Sequence, residues 1–176
     1  MSERCVILVG CMGAGKSIVG RKLAKTLGYD FTDTDSLIEK AAGKKISAIF
    51  AESGEPGFRD LEAATIGQLA TARAKVIATG GGAVLRPENR ALFKALGLSV
   101  YLKASARELY QRIKNDTSRP LLTASADPKS EIARILAERE PHYNQADIIV
   151  DTEDLSVEEV TDRLIDELAR RTLGDG

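Results

Sequence analysis

From Gly10 to Ser17 the chain reads Gly-Cys-Met-Gly-Ala-Gly-Lys-Ser, which fits the pattern G-x-x-x-x-G-K-[ST] at every fixed position. The five residues before it, Cys5–Val9, are all apolar and suit a strand buried on both faces. After it, Val19, Leu23 and Leu27 fall on one helical face, and Gly28 stands where a helix-closing glycine belongs. A strand, a glycine-rich turn and a helix in that order form a phosphate cradle. The glycines let successive N–H groups curl inward, and the helix N-terminus adds a field that favours an anion. Lys16 can reach β- and γ-phosphates, and the Ser17 hydroxyl can ligate Mg²⁺. Cys11 and Met12 are spacers with no assigned chemistry.

The rest of the chain alternates short β-branched runs with helical patterns, the mark of a parallel α/β sheet. Strands are expected at Tyr29–Thr32, Lys75–Thr79, Leu98–Leu102 and Asp147–Val150. Pro87 opens a helix that Gly97 closes, with Leu92 and Leu96 in register. Ser105 with Glu108, and Ser156 with Glu159, have the spacing of capping boxes. The last helix carries Val160, Leu164 and Leu168 on one face. Together these predict a three-layer α/β/α sandwich around a central five-stranded parallel sheet. One domain is expected over residues 1–176, with a mostly helical insertion from 36 to 74 that binds substrate. The stretch from Asp116 to Lys129, rich in Ser, Thr, Ala, Asp and Pro, reads as a lid over about 114–129.

Composition removes several classes of function. Over 176 residues the formal net charge is −1, so no nucleic acid or anionic membrane is expected as a partner. No apolar run nears the roughly 20 residues that span a bilayer. The N-terminus lacks a signal-peptide pattern, and two cysteines, Cys5 and Cys11, are too few for a disulfide framework or a zinc site. A cytoplasmic monomer is expected.

Three features separate the kinds of nucleotide protein. Asp33 and Asp35 follow the second strand two residues apart, so extended backbone would point both carboxylates to one side. One could order Mg²⁺ through water while the other fixes the acceptor or takes a hydroxyl proton; an acidic turn fits equally well. Gly80-Gly81-Gly82 would let a ligand approach backbone N–H groups closely, or form a flexible loop. Arg59, Arg119 and Arg139 suit a bidentate grip on carboxylate or phosphate, although each alone reads as a solvated surface residue. Glu62, three residues after Arg59, can brace its guanidinium.

In this order the motifs resemble the shikimate kinases, of the nucleoside-monophosphate-kinase-like group of phosphate-loop proteins. The resemblance rests on Gly10–Ser17, Asp33-Thr34-Asp35, Gly54-Glu55 with Phe58-Arg59 and Glu62, Thr79–Gly82, Arg119-Pro120-Leu121-Leu122, and Arg139 with Pro141 and Tyr143. It implies ATP-dependent phosphorylation of the 3-hydroxyl of shikimate, in aromatic amino-acid biosynthesis. It further implies Lys16, Asp35 and Arg119 as catalytic residues, with Asp35 the base and Arg119 swinging in with the lid. ATP would meet Gly13, Ala14, Gly15, Lys16, Ser17, Ile18, Arg112 and Arg119. Shikimate would meet Asp35, Arg59, Arg139, the backbones of Gly81 and Gly82, and the rings of Phe50 and Phe58. Mg²⁺ would lie at Ser17 and, through water, Asp33. Two positions depart from the family pattern: Val157 where some members have proline near the adenine, and His142 where leucine is frequent. A gluconate or nucleoside-monophosphate kinase, and a catalytically silent nucleotide-binding protein, are the competing readings.

Overall fold

The computed structural model describes residues 4–116 and 125–174. Five strands, β1 (Cys5–Val9), β2 (Asp30–Asp33), β3 (Lys75–Ala78), β4 (Gly97–Lys103) and β5 (Ile148–Asp151), form one sheet in the order β2-β3-β1-β4-β5. Every pairing is parallel. Each residue of β1 is buried, as an apolar central strand with helices on both faces must be.

The helices are α1 (Lys16–Leu27), α2 (Thr34–Ala42), α3 (Ile46–Gly67), α4 (Pro87–Leu96), α5 (Ala106–Ile113), α6 (Pro128–Tyr143) and α7 (Val157–Gly174). Right-handed crossovers decide their sides. The chain moves one way across the sheet from β1 to β2, and the opposite way from β3 past β1 to β4. Helices α1 and α4 therefore lie on opposite faces. Accordingly α1 packs against α7, while α3 packs against α4. The loops leaving β1 and β3 depart toward opposite faces, and a crevice opens between the carboxyl ends of these paired strands.

Local signals set most element ends. Gly28 takes φ 69° and closes α1 by donating to Ala24 and Lys25 carbonyls. The Tyr29 N–H also bonds Ala24, so Tyr29 belongs to the helix cap and β2 starts one residue later than its pattern predicts. Likewise Asp147 stays outside β5, because its carboxylate accepts from the Ser99 N–H and hydroxyl. The box at Ser156 and Glu159 is reciprocal, with bonds of 2.8 and 3.2 Å. At Ser105 only half forms, since Glu108 turns to Arg112.

The expected helical stretch over 36–74 is α2 and α3, joined by a small apolar cluster of Ile38, Ile49 and Phe58. Gly54 (φ 66°, ψ −175°) interrupts α3 and re-aims its second half. Of the stretch read as a lid, Pro128 and Lys129 lie inside α6, whose first turn Asp127 caps through the Ser130 N–H. Residues 117–124 of that stretch lie outside the described residues. No helix among the described residues is long and apolar enough to cross a membrane.

Candidate active site

The loop after β1 opens onto a cleft of about 850 Å³ lined by Gly13, Gly15, Lys16, Ser17, Asp33 and Arg112 among others. Gly13 and Gly15 take φ 79° and 90°, which side chains rarely adopt. Lys16 Nζ donates to the Gly10 and Cys11 carbonyls at 2.7 and 2.9 Å, arching over the loop. Arg112 spans from Glu108 to the Gly13 carbonyl and Thr152, joining the loop to the segment after β5. Ile18, 56% exposed, projects from the first turn of α1, while Ala14 is buried beneath the loop.

Asp33 ends β2 and caps α2, its Oδ1 accepting from the N–H groups of Asp35 and Ser36. Its Oδ2 accepts from the Ser17 hydroxyl at 2.6 Å. The two-residue spacing therefore works differently from an extended strand: Thr34 begins a helix, and Asp35 stands in its first turn. Thr34, fully buried, accepts from the Gly80 N–H and draws this turn against the end of β3. Asp33 and Asp35 still face one cleft.

A smaller pocket of about 90 Å³ adjoins the first and shares Met12, Asp35, Ile46, Gly80 and Gly81 with it. Its own walls are Phe50, Phe58, Arg59, Glu62, Gly82 and Arg139. The Phe50 and Phe58 rings lie 4.7 Å apart, and the Arg59 guanidinium sits 5.2 Å from the Phe58 ring centre. Arg59 is buried, bonded to Glu62 at 2.8 Å and to Glu55 at 3.1 Å. Burial pushes the Glu62 carboxyl above the usual range, against the pull of Arg59 and Arg139. Arg139 is 4% exposed, makes no ion pair among the described residues, and its Nε has no hydrogen-bond partner among them.

The glycine triplet serves these charges with space. A Cβ on Gly82 would lie 2.1 Å from Arg59 Nη2, and one on Gly80 would lie 2.8 Å from both Asp35 Oδ1 and Glu62 Oε2. None of the three takes the left-handed φ that favours glycine, so closeness rather than backbone freedom selects glycine here.

The phosphate loop, both aspartates, the triplet, Phe50, Phe58, Arg59, Arg112 and Arg139 thus converge on two joined cavities. Arg119 lies outside the described residues. Met12 and Ile46 line both cavities, although the pattern leaves Met12 a spacer and gives Ile46 no distinguishing neighbour. His142 sits half-buried in the last turn of α6, as expected.

A sequence profile of the shikimate kinase family matches residues 12–169. The chain belongs to the shikimate kinase family. It is 44% identical over 169 residues to a shikimate kinase of Thermodesulfovibrio yellowstonii, covering 96% of this chain and 97% of the relative. Among solved structures it resembles the shikimate kinase of Acinetobacter baumannii in complex with shikimate, with a TM-score of 0.93 and 36% identity over 97% of this chain and 95% of that one. A gluconokinase of Sinorhizobium meliloti, at 21% identity and TM-score 0.64 over 96% and 93% of the chains, shares the fold alone.

Proposed function

We propose that this chain transfers the γ-phosphoryl group of ATP to the 3-hydroxyl of shikimate, giving shikimate 3-phosphate for aromatic amino-acid biosynthesis. The observation that carries the acceptor is Arg139. Arg139 is buried and makes no ion pair among the described residues, so an anionic ligand would give its charge a direct partner. Arg59 beside it can share the load, because two bidentate donors match one planar carboxylate. The phenylalanine pair offers a face to a six-membered ring.

The donor and acceptor cavities meet at Asp35, Gly80 and Gly81, so a phosphate held by Gly13–Ser17 would lie beside an acceptor hydroxyl. Lys16 would turn from its carbonyls to the phosphates, and Asp35 would orient the hydroxyl and accept its proton. Ile18 and Arg112 would flank the rest of the nucleotide. Ser17 and Asp33, hard oxygen donors at the lip of the loop, would suit Mg²⁺, Asp33 through water. The cation would supply positive charge against the β- and γ-phosphate oxygens. Arg119, by resemblance, would add charge at the transferring group. Phosphoryl transfer depends on placement and positive charge more than on a strong base, which suits a carboxylate in Asp35's position.

The same reading takes the chain as a single-domain cytoplasmic monomer with neither nucleic acid nor membrane as partner, and its net charge of −1 accords with that. A coupled ADP-release assay with shikimate, gluconate and nucleoside monophosphates tests the proposal. Only shikimate should stimulate release; no stimulation by shikimate in folded protein would sink it.

A further inference from the structure

Two buried tyrosines stack behind the glycine triplet, Tyr101 of β4 and Tyr143 of α6, with ring centres 5.0 Å apart. Their hydroxyls differ. That of Tyr143 donates to the Gly81 carbonyl at 2.6 Å. That of Tyr101 is buried with no hydrogen-bond partner among the described residues. Tyr143 also stands four residues after Arg139 on α6, and the guanidinium interacts with its hydroxyl. Gly81 itself lies against Arg139 and the phosphate loop. A Cβ there would meet Arg139 Nη1 at 3.3 Å and Met12 N at 3.4 Å.

The peptide joining Gly81 to Gly82 is planar and trans, so its C=O and N–H point in opposite directions. A bond that holds the Gly81 carbonyl toward Tyr143 therefore turns the Gly82 N–H away from Tyr143. Gly82 lines the smaller pocket, and its N–H donates no hydrogen bond among the described residues. We propose that Tyr143 is a positioning residue whose hydroxyl fixes the Gly81–Gly82 peptide plane and so aims the Gly82 N–H as a donor to the acceptor substrate. This rests on the proposed function for the identity of that substrate.

The stacked pair supplies its own control, since Tyr143→Phe and Tyr101→Phe each remove one buried hydroxyl and only the first is bonded. Tyr143→Phe should raise the shikimate KM about tenfold, the scale of one buried hydrogen bond, with the ATP KM unchanged. In ligand-free protein it should also raise the backbone mobility of Gly82 read by nitrogen-15 NMR relaxation. Tyr101→Phe should do neither. An unchanged shikimate KM in Tyr143→Phe, equal rises for both substrates, or equal effects of the two variants would overturn the proposal. Should Tyr143→Phe not fold, wild-type exchange decides. Shikimate should protect the Gly82 N–H and ATP alone should not; no protection by shikimate overturns it. Absence of shikimate turnover by the wild type would instead defeat the proposed function, and Gly82 backbone mobility in the ligand-free pair would still judge the tether.

Discussion

Gly82→Ala isolates the contribution of space to this site. The backbone at Gly82 has φ −92° and ψ 1°, in the bridge region that is sparsely populated but open to alanine, so the new methyl group acts chiefly through contact. It would stand 2.1 Å from Arg59 Nη2, 2.3 Å from Cζ and 2.5 Å from Nη1. Ordinary contact needs about 3.5 Å, so the guanidinium must retreat by roughly 1.4 Å. A shift of that size disrupts the 2.8 Å bond to Glu62, a fully buried carboxylate. The Glu55 bond matters less, because that side chain is 43% exposed. A buried charge-assisted bond contributes about 1.5–3 kcal/mol. At about 1.4 kcal/mol per factor of ten, the shikimate KM should rise roughly 10- to 100-fold while the ATP KM holds. The melting temperature should fall by about 3–12 °C for a chain of this length. Initial-rate kinetics with each substrate varied in turn, and a thermal melt, read both effects. A variant with an unchanged shikimate KM would refute the argument that Gly82 exists to admit Arg59.

Other perturbations separate chemistry from scaffold. Lys16→Met should abolish turnover at any shikimate concentration with the melt near wild type; near-normal kcat would remove the lysine from phosphate binding. Gly28→Ala meets nothing within 4 Å but keeps φ at 69°, so it should cost about 1 kcal/mol in a denaturant melt and leave both KM values alone. Arg59 pulls the raised Glu62 carboxyl back toward its ordinary range, so Arg59→Ala raises it further. A group whose folded pKa is raised contributes stability that is full at low pH and lost as pH rises through the folded value. Arg59→Ala should therefore destabilise more at pH 8 than at pH 5 in paired melts, and equal losses would show that Glu62 does not feel the change. Cys5 and Cys11 are buried, and burial pushes the Cys5 thiol up, so a thiol reagent should modify neither until the protein unfolds.

The parts legible in the sequence are those fixed by local physics. Lys16 and Gly28 bound α1 because a lysine after the loop and a left-handed glycine are local instructions. Val160, Leu164 and Leu168 are buried as their spacing requires. The capping boxes show where local rules stop. Ser156 and Glu159 form theirs, whereas Glu108 has a competing partner in Arg112, which also reaches the phosphate loop. The placement of Asp35 was beyond local reasoning for the same cause. Strand periodicity ends at Thr34 because Asp33 caps α2 there, and the Gly80 N–H, far away in sequence, holds the Thr34 hydroxyl. The triplet shows the converse: three glycines suggest backbone freedom, but what they supply is room for Arg59, Glu62, Asp35 and Arg139, and no local pattern encodes which side chains come to rest there.

Asp33 gives one oxygen to the start of α2 and the other to Ser17. That division leaves the position without a conservative replacement. Asparagine caps a helix well, but its amide nitrogen cannot accept from the serine. Glutamate keeps the charge, but a longer arm cannot close the same short loop onto its own backbone. Serine caps and has nothing left to offer across the cleft. Tolerance to substitution at residue 33 should therefore be among the narrowest in the chain, because two demands that other side chains meet singly fall on one carboxylate.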